Sequence, residues 1–192
     1  MKYLLSIFVG LALLIPACQS QKENKAHQHN GEAKAEVPAD TTKKSIPKEE
    51  HAQIGGVHFM MKYHAPAVRG RTVWGGLVPY DEVWVTGAHS ATSLEFDKDI
   101  KINNTTVPAG KYAFFTIPGK DRWTLIINKN WEQHLTDEYD AKDDIVRVEI
   151  TPEELQETQE RLKYSITDAA DSGAAISMSW EKVNVKLNIQ LN

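Results

Sequence analysis

VNVKLNIQL, residues 183–191, shows the alternation that decides the fold class. Valine, leucine and isoleucine fill every second position, and asparagine, lysine and glutamine fill the positions between them. Side chains of a β-strand point alternately to two faces, so the pattern predicts a strand with one apolar face in the core. Residues 57–64 and 145–150 alternate in the same way, which predicts strands there as well.

About nine such segments follow one another at intervals of roughly ten residues, with turn-forming residues between them. This spacing predicts an all-β protein, a single antiparallel β-sandwich of jelly-roll type. At most one short helix is expected, beginning at Thr151-Pro152, because threonine is a good N-cap and proline suits the first helical position.

Four local expectations complete the prediction of the strands. Residues 92–96 and 100–103 are expected to pair as a tight hairpin, and residues 83–86 are expected to form a short strand. The segment WTLIIN, residues 123–128, has the composition of a strand buried on both faces. Residues 174–180 and 183–191 are expected to be two separate strands.

The first eighteen residues, 1–18, have the features of a bacterial lipoprotein signal. Lys2 precedes an apolar run, residues 4–15, which is shorter than the roughly 20 residues that a spanning helix needs. The run ends at Cys18, the only cysteine of the chain, after a small residue as in a lipobox. We expect Cys18 to be acylated and to anchor the protein in the cell envelope, at the periplasmic or outer-membrane face. The alternative is an ordinary signal peptide cleaved nearby.

Residues 19–54 contain no aromatic side chain and few aliphatic ones, so they are expected to form a disordered tether. The folded domain is accordingly predicted at residues 55–192. Within the tether, His27 and His29 form a small His-x-His cluster that is more simply explained as solvated linker. The net charge of −4, without any basic stripe, argues against nucleic-acid binding.

Candidate binding residues concentrate in residues 64–92, which combine aromatic, basic and imidazole side chains with many turn residues. Two tryptophans could stack on a small molecule or saccharide, two arginines could hold an anionic group, and two further side chains could add hydrogen bonds. The predicted ligand-binding residues are Arg69, Arg71, Trp74, Trp84, Thr86 and His89. The competing interpretation is that the tryptophans pack in the core and the arginines hold the loop to backbone carbonyls. An envelope protein partner is another open alternative.

The sequence patterns that would indicate a metal site or a catalytic site are weaker than those for a binding site. His58 and His64 share a strand face but lie about 20 Å apart along it, whereas His64 and His89 could meet. Met60 on the same face would suit copper better than zinc. Ser90 lacks the Gly-x-Ser-x-Gly context of a nucleophile elbow. The sequence therefore assigns no catalytic residue, no metal ligand and no cofactor. The alternatives to a binding module are a hydrolase-like enzyme that acts at residues 64–92 and a metal-binding protein.

A set of longer motifs resembles one bacterial family, the domain of unknown function numbered 2911. Those motifs, in chain order, are residues 69–71, 73–80, 83–84, 86–88, 108–112, 115–119, 123–124, 128–129, 147–148, 160–162 and 180–182. The resemblance covers residues 55–191 and implies an exported, mostly β domain without an assigned activity. Val85 and His89 stand where such sequences often have arginine and asparagine, so a ligand could not be transferred through these positions.

Overall fold

The structure, a computed structural model, describes residues 45–170 and 173–191. These residues belong to one compact unit. The strands are β1 Ser45–Ile54, β2 Val57–Pro66, β3 Ser93–Phe96, β4 Ile100–Ile102, β5 Thr105–Val107, β6 Gly110–Ile117, β7 Trp123–Asn128, β8 Asp144–Ile150, β9 Glu153–Ala169 and β10 Gly173–Leu191, with a short 3₁₀ helix at Ala141–Asp143 between β7 and β8.

The strands form two antiparallel sheets. One has six strands in the order β1-β2-β3-β6-β7-β8, and the other has four in the order β5-β4-β10-β9. Apolar side chains from both sheets meet in a single large core, among them Phe59, Leu94, Phe114, Tyr164 and Trp180. The prediction of an all-β sandwich is therefore confirmed, and the strand order, which the sequence left open, is now defined.

The alternation predicted for residues 57–64 holds along β2. Phe59, Met61 and Tyr63 are buried in the core, while His58, Met60 and Lys62 are on the opposite side. We call this opposite side of the six-stranded sheet, which faces away from the sandwich core, the outer face. It carries the candidate site.

Strand β7 is buried on both faces, as its sequence predicted. Trp123, Leu125 and Ile127 belong to the main core. Ile126 belongs to a second, smaller apolar cluster on the outer face. This second face is covered by residues 83–91 and by the long loop between β7 and β8, residues 129–143.

The predicted start of the domain at residue 55 is wrong, because β1 pairs with β2 along its whole length, from Ser45↔Pro66 to Ile54↔Val57. The strand lies at a sheet edge and leaves five of its ten residues exposed. Its composition is therefore polar enough to look like linker, although backbone pairing with β2 orders it. The rest of the predicted tether, residues 19–44, and the signal segment with Cys18 lie outside the described residues.

The helix predicted at Thr151-Pro152 is also wrong. Residues from Glu153 onward enter β9, where Glu153 and Glu154 pair with Asn184 and Val183. The local helix-start signal is real, but long-range pairing with β10 outweighs a preference worth about 1 kcal/mol.

Three predictions about the strands are also wrong. Residues 92–96 and 100–103 do not pair, because β3 joins the six-stranded sheet and β4 the other. Residues 83–86 form only an isolated bridge, Trp84↔Thr116. Residues 174–180 and 183–191 are one strand, β10, interrupted by register shifts around Glu181, which has a positive φ of 55°. Such a bulge bends a strand without ending it.

Candidate functional site

The outer face of the six-stranded sheet is covered over β6 and β7 by two loops. Their apolar side chains pack on the sheet in the second cluster, which contains Val85, Ala91, Ala113, Phe115 and Ile126, with Trp84, Trp131 and Tyr139 partly buried against it. The ring of Tyr139 meets that of Phe115 edge-on at 5.3 Å. Loop residues 83–91 and 129–143 therefore form a fixed cover on the strands.

Polar contacts hold the longer loop in shape. The amide of buried Asn128 donates to the carbonyl of Asp140 and to Asp144 Oδ1, and its own oxygen accepts from the N–H of Asn130. The Tyr139 hydroxyl donates to Asp144 Oδ2 at 2.8 Å, and Arg147 Nε donates to the same oxygen at 2.7 Å. Burial and the carboxylate of Asp144 raise the pKa of Tyr139 to about 12, so this hydroxyl remains a donor.

A groove of about 750 Å³ opens where the cover ends, over the outer face of β1, β2, β3 and β6. The strands contribute Pro47, Lys48, Glu49, Lys62, Tyr63, His64, Ser93 and Lys111, and the loops contribute Ser90, Ala91, Trp131, Glu132, Gln133, His134 and Glu138. We refer to this feature as the outer groove. Its size falls within the usual range of small-molecule sites, ~300–1,000 Å³.

Several charges in the outer groove are already paired. Lys62 Nζ lies 3.2 Å from Glu49 Oε1, and this hydrogen bond lowers the pKa of Glu49. Lys111 Nζ lies 3.5 Å from the centre of the Trp131 ring, a cation–π contact. The lining contains three lysines and three glutamates. Its fixed charges balance, so the groove has no strong preference for an anion or a cation.

A pair of histidines lies at one end of the outer groove. The rings of His64 and His89 meet edge-on with centroids 5.2 Å apart, and Ser45 Oγ is 2.7 Å from His89 Nε2. Burial, and secondly the neighbouring His89, lower the pKa of His64. The sequence had anticipated that these two histidines could meet.

Backbone strain occurs beside this pair. His89 and Leu135 have positive φ values of 65° and 48°, and the N–H of Leu135 donates to the carbonyl of His89 at 2.6 Å. A positive φ costs a non-glycine residue about 1–3 kcal/mol, and such residues concentrate at functional sites. The hydrogen bond between Leu135 and His89 connects the two loops that border the outer groove.

Two of the six residues predicted from sequence pack with the core. Trp74 contacts Trp123 and Trp180 edge-on at 4.8 and 5.6 Å, and Trp84 stacks on Trp180 at 5.8 Å. The two indoles also meet each other, at 5.7 Å. The structure thus brings Trp74 and Trp84 together within a four-tryptophan cluster, and neither belongs to the lining of the outer groove.

Arg69, Arg71 and Thr86 have structural contacts. Arg71 donates from its guanidinium to the carbonyls of Ala67 and Val68 at 2.5 and 3.1 Å. Arg69 uses its backbone N–H, which donates to Glu160. Thr86 is fully buried, and its hydroxyl donates to Thr116 at 3.0 Å. None of these three lines the outer groove, whereas His89 borders the groove through its ring contact with His64.

Sequence reasoning did not select Trp131, Lys111 or Ser93. Trp131 and His134 lie in the long stretch between the strands predicted at residues 123–128 and 145–150. No spacing rule indicated that this loop would close over β6, because the cover depends on contacts between residues distant in sequence.

The acidic part of this loop is engaged in protein contacts. Asp137 pairs with His134 at 3.1 Å, and Asp140 accepts from the N–H of Lys142 as the cap of the 3₁₀ helix. Among residues 45–170 and 173–191, no group of three or more His, Cys, Asp or Glu side chains is arranged to hold a metal ion.

Fold and groove together define a class, an antiparallel β-sandwich with an open, mixed-polarity groove on the outside of its larger sheet. The model of one family, described as a protein of unknown function (DUF2911), matches residues 45–189. The chain belongs to this family, as its motifs suggested, and the match begins at β1.

The curated proteins contain no significant match, and neither do the solved structures. Across the described ranges, no helix is both long and apolar enough to cross a membrane.

Proposed function

We propose that this protein is a binding module of the bacterial cell envelope, lipid-anchored through Cys18, whose outer groove takes a neutral, hydroxyl-rich ligand of the saccharide type. The observation that carries the ligand class is the lining of the groove, in which Trp131 stands beside serine, histidine and glutamine side chains under balanced charge.

Hydroxyl-rich ligands both donate and accept hydrogen bonds and present apolar C–H faces. Ser90 and Ser93 can do both, since a hydroxyl group carries one donor and two acceptor lone pairs. Trp131 is only partly buried, and it can offer the part of its aromatic surface that Lys111 does not cover. An anionic ligand is less well matched, because Lys62 and Lys111 already have partners and the arginines chosen from sequence lie elsewhere.

A thermal-shift screen of the full chain tests the ligand class. Neutral mono- and oligosaccharides are compared with sulfate, phosphate and divalent metals. A ligand at a hundred times its dissociation constant adds about 2.7 kcal/mol, which raises the melting temperature by roughly 5–10 °C.

Trp131→Ala is expected to abolish the shift caused by the saccharide. Leu135→Ala is the matched control, because Leu135 is an exposed apolar residue of the same loop that does not line the groove. Shifts with anions alone, or a saccharide shift that survives Trp131→Ala, would contradict the proposal.

The envelope anchor rests on the sequence of residues 1–18. Cells given an alkyne-labelled palmitate should incorporate it into the wild-type chain, and Cys18→Ser should prevent incorporation. Labelling of the Cys18→Ser chain would argue against this anchor and leave the groove proposal standing.

A hydrolase-like activity is the second candidate, favoured by the 2.7 Å contact between Ser45 Oγ and His89 Nε2. A histidine at this distance can take the proton of a serine hydroxyl as it attacks an acyl carbon. Fluorogenic esters test this, with Ser45→Ala expected to remove turnover. Turnover that is unchanged in Ser45→Ala, or none in the wild type, would dismiss it.

A further inference from the structure

A second group of side chains on the outer face lies on β1 and β2, away from the loops. The rings of His51 and His58 lie 5.7 Å apart, centroid to centroid, with their planes inclined at 36°. His51 was assigned to the tether from sequence, so this neighbour of His58 became visible only when β1 proved to be a strand.

Met60 completes the group. It pairs directly with His51 across the two strands, and it is two residues from His58 on the same strand and face. Side chains directly opposite one another in an antiparallel pair have Cβ atoms about 4.5–5.5 Å apart. Met60 belongs to neither apolar cluster of the described residues, so its thioether is not used for core packing.

The spacing of the two imidazoles suits one shared ion. A ring nitrogen binds a metal at about 2.0–2.1 Å, which puts each ring centroid about 3.1 Å from the metal. Two rings on one ion are then about 5–6 Å apart, depending on the angle between them. The distance of 5.7 Å between His51 and His58 lies in this range.

We propose that His51, His58 and Met60, which we call the His–Met triad, form a binding site for a soft monovalent cation, with Cu(I) as its representative. The donor set is two imidazole nitrogens and one thioether sulfur. Thioether ligands select Cu(I), and imidazole accepts it as well, whereas calcium and magnesium require oxygen ligands.

The carboxylate of Glu49 can orient one of the three proposed ligands, His51. Glu49 Oε2 lies 3.5 Å from His51 Nε2, the arrangement in which a carboxylate orients a ligating imidazole through its other ring nitrogen. Glu49 is itself held by Lys62. On the other side Glu95 of β3 pairs with Met60.

The test uses the full chain with Cys18→Ser, His27→Ala and His29→Ala, which remove competing ligands near the N-terminus. Methionine methyl groups are labelled with ¹³C, and Cu(I) is added as its acetonitrile complex without oxygen. The chain has four methionines. We expect the Met60 methyl signal to move and to saturate at one equivalent, while the signals of buried Met61 and Met178 stay in place. A Met60 signal that does not move overturns the proposal.

Competition with a chromogenic Cu(I) chelator then locates the ligands. His51→Gln, His58→Gln and Met60→Leu should each weaken Cu(I) binding at least tenfold, with urea unfolding confirming that each variant is folded. His64→Gln is the matched control, because His64 lies on the same face of β2 at its other end. Loss of binding in His64→Gln with none in His51→Gln would place the ion at the His64–His89 pair and overturn the triad.

Discussion

At the scale of single residues, the polar side chains of residues 64–92 that were predicted to bind a ligand mainly stabilise the fold. Thr86 is the clearest example, since it is fully buried and has a positive φ of 52° although it is β-branched. Its carbonyl accepts hydrogen bonds from the hydroxyls of Thr92 and Tyr164, at 3.1 and 2.7 Å. Such a conformation persists only where its surroundings fix it.

Arg71→Ala should lower the free energy of unfolding by about 1–2 kcal/mol, because it removes two charged hydrogen bonds to backbone carbonyls that are partly exposed to solvent. Urea unfolding measures the difference. Arg69→Ala is the control and should change stability by less than about 0.5 kcal/mol, since Arg69 contributes its backbone N–H. Equal effects of the two substitutions would contradict the structural role of Arg71.

The lowered pKa of His64 makes stability depend on pH in a defined direction. An unfolded histidine titrates near pH 6.5. Below that pH the unfolded chain takes up a proton at His64 more readily than the folded chain does. The stability that neutral His64 contributes is therefore fully present above about pH 6.5, and it is lost as the pH falls toward the pKa of His64 in the folded chain.

Urea unfolding at pH 7.5 and 5.5 checks this expectation. His64→Gln should reduce the loss of stability between the two pH values. His89→Gln should reduce it less, because burial contributes more than His89 to the shift. An unchanged pH dependence in His64→Gln would show that the group responsible lies elsewhere.

At the scale of elements, strands with an apolar face were predictable and the edge strand was not. β2 and β7 have clear patterns, and the structure confirms both. β1 lies at a sheet edge and is half exposed, so its sequence is that of a linker. The pairing of β4 with β10 was equally hidden, because no local signal tells a strand which sheet to join.

The position of β1 predicts the result of a truncation. A chain that begins at Ser45 should fold, whereas one that begins at Gly55 should lose several kcal/mol of stability, because the backbone groups of β2 along that edge lose their partners and the core loses Ile46, Ala52 and Ile54. Circular dichroism with urea unfolding compares the two chains. Equal stability would show that β1 is dispensable.

At the scale of the whole molecule, the sequence predicted the architecture and only part of the candidate site. Regular alternation of apolar and polar residues indicates which face of a strand is buried, and this pattern was sufficient to predict a β-sandwich. The outer groove depends on how residues 129–143 fold back over β6, which is a long-range property. The sequence correctly brought His64 and His89 together, but chose Trp74 and Trp84 where Trp131 lines the groove.

The five tryptophans allow a direct measurement of whether a ligand binds in the outer groove. Each indole N–H gives its own signal in a ¹⁵N–¹H correlation spectrum, and the signals can be assigned by substituting one tryptophan at a time. Four of the indoles, those of Trp74, Trp84, Trp123 and Trp180, belong to one cluster. On addition of the saccharide found in the thermal-shift screen, we expect the Trp131 signal to move while these four remain in place. Movement of the Trp74 and Trp84 signals with the Trp131 signal unchanged would contradict binding in the outer groove and would place the ligand at residues 64–92.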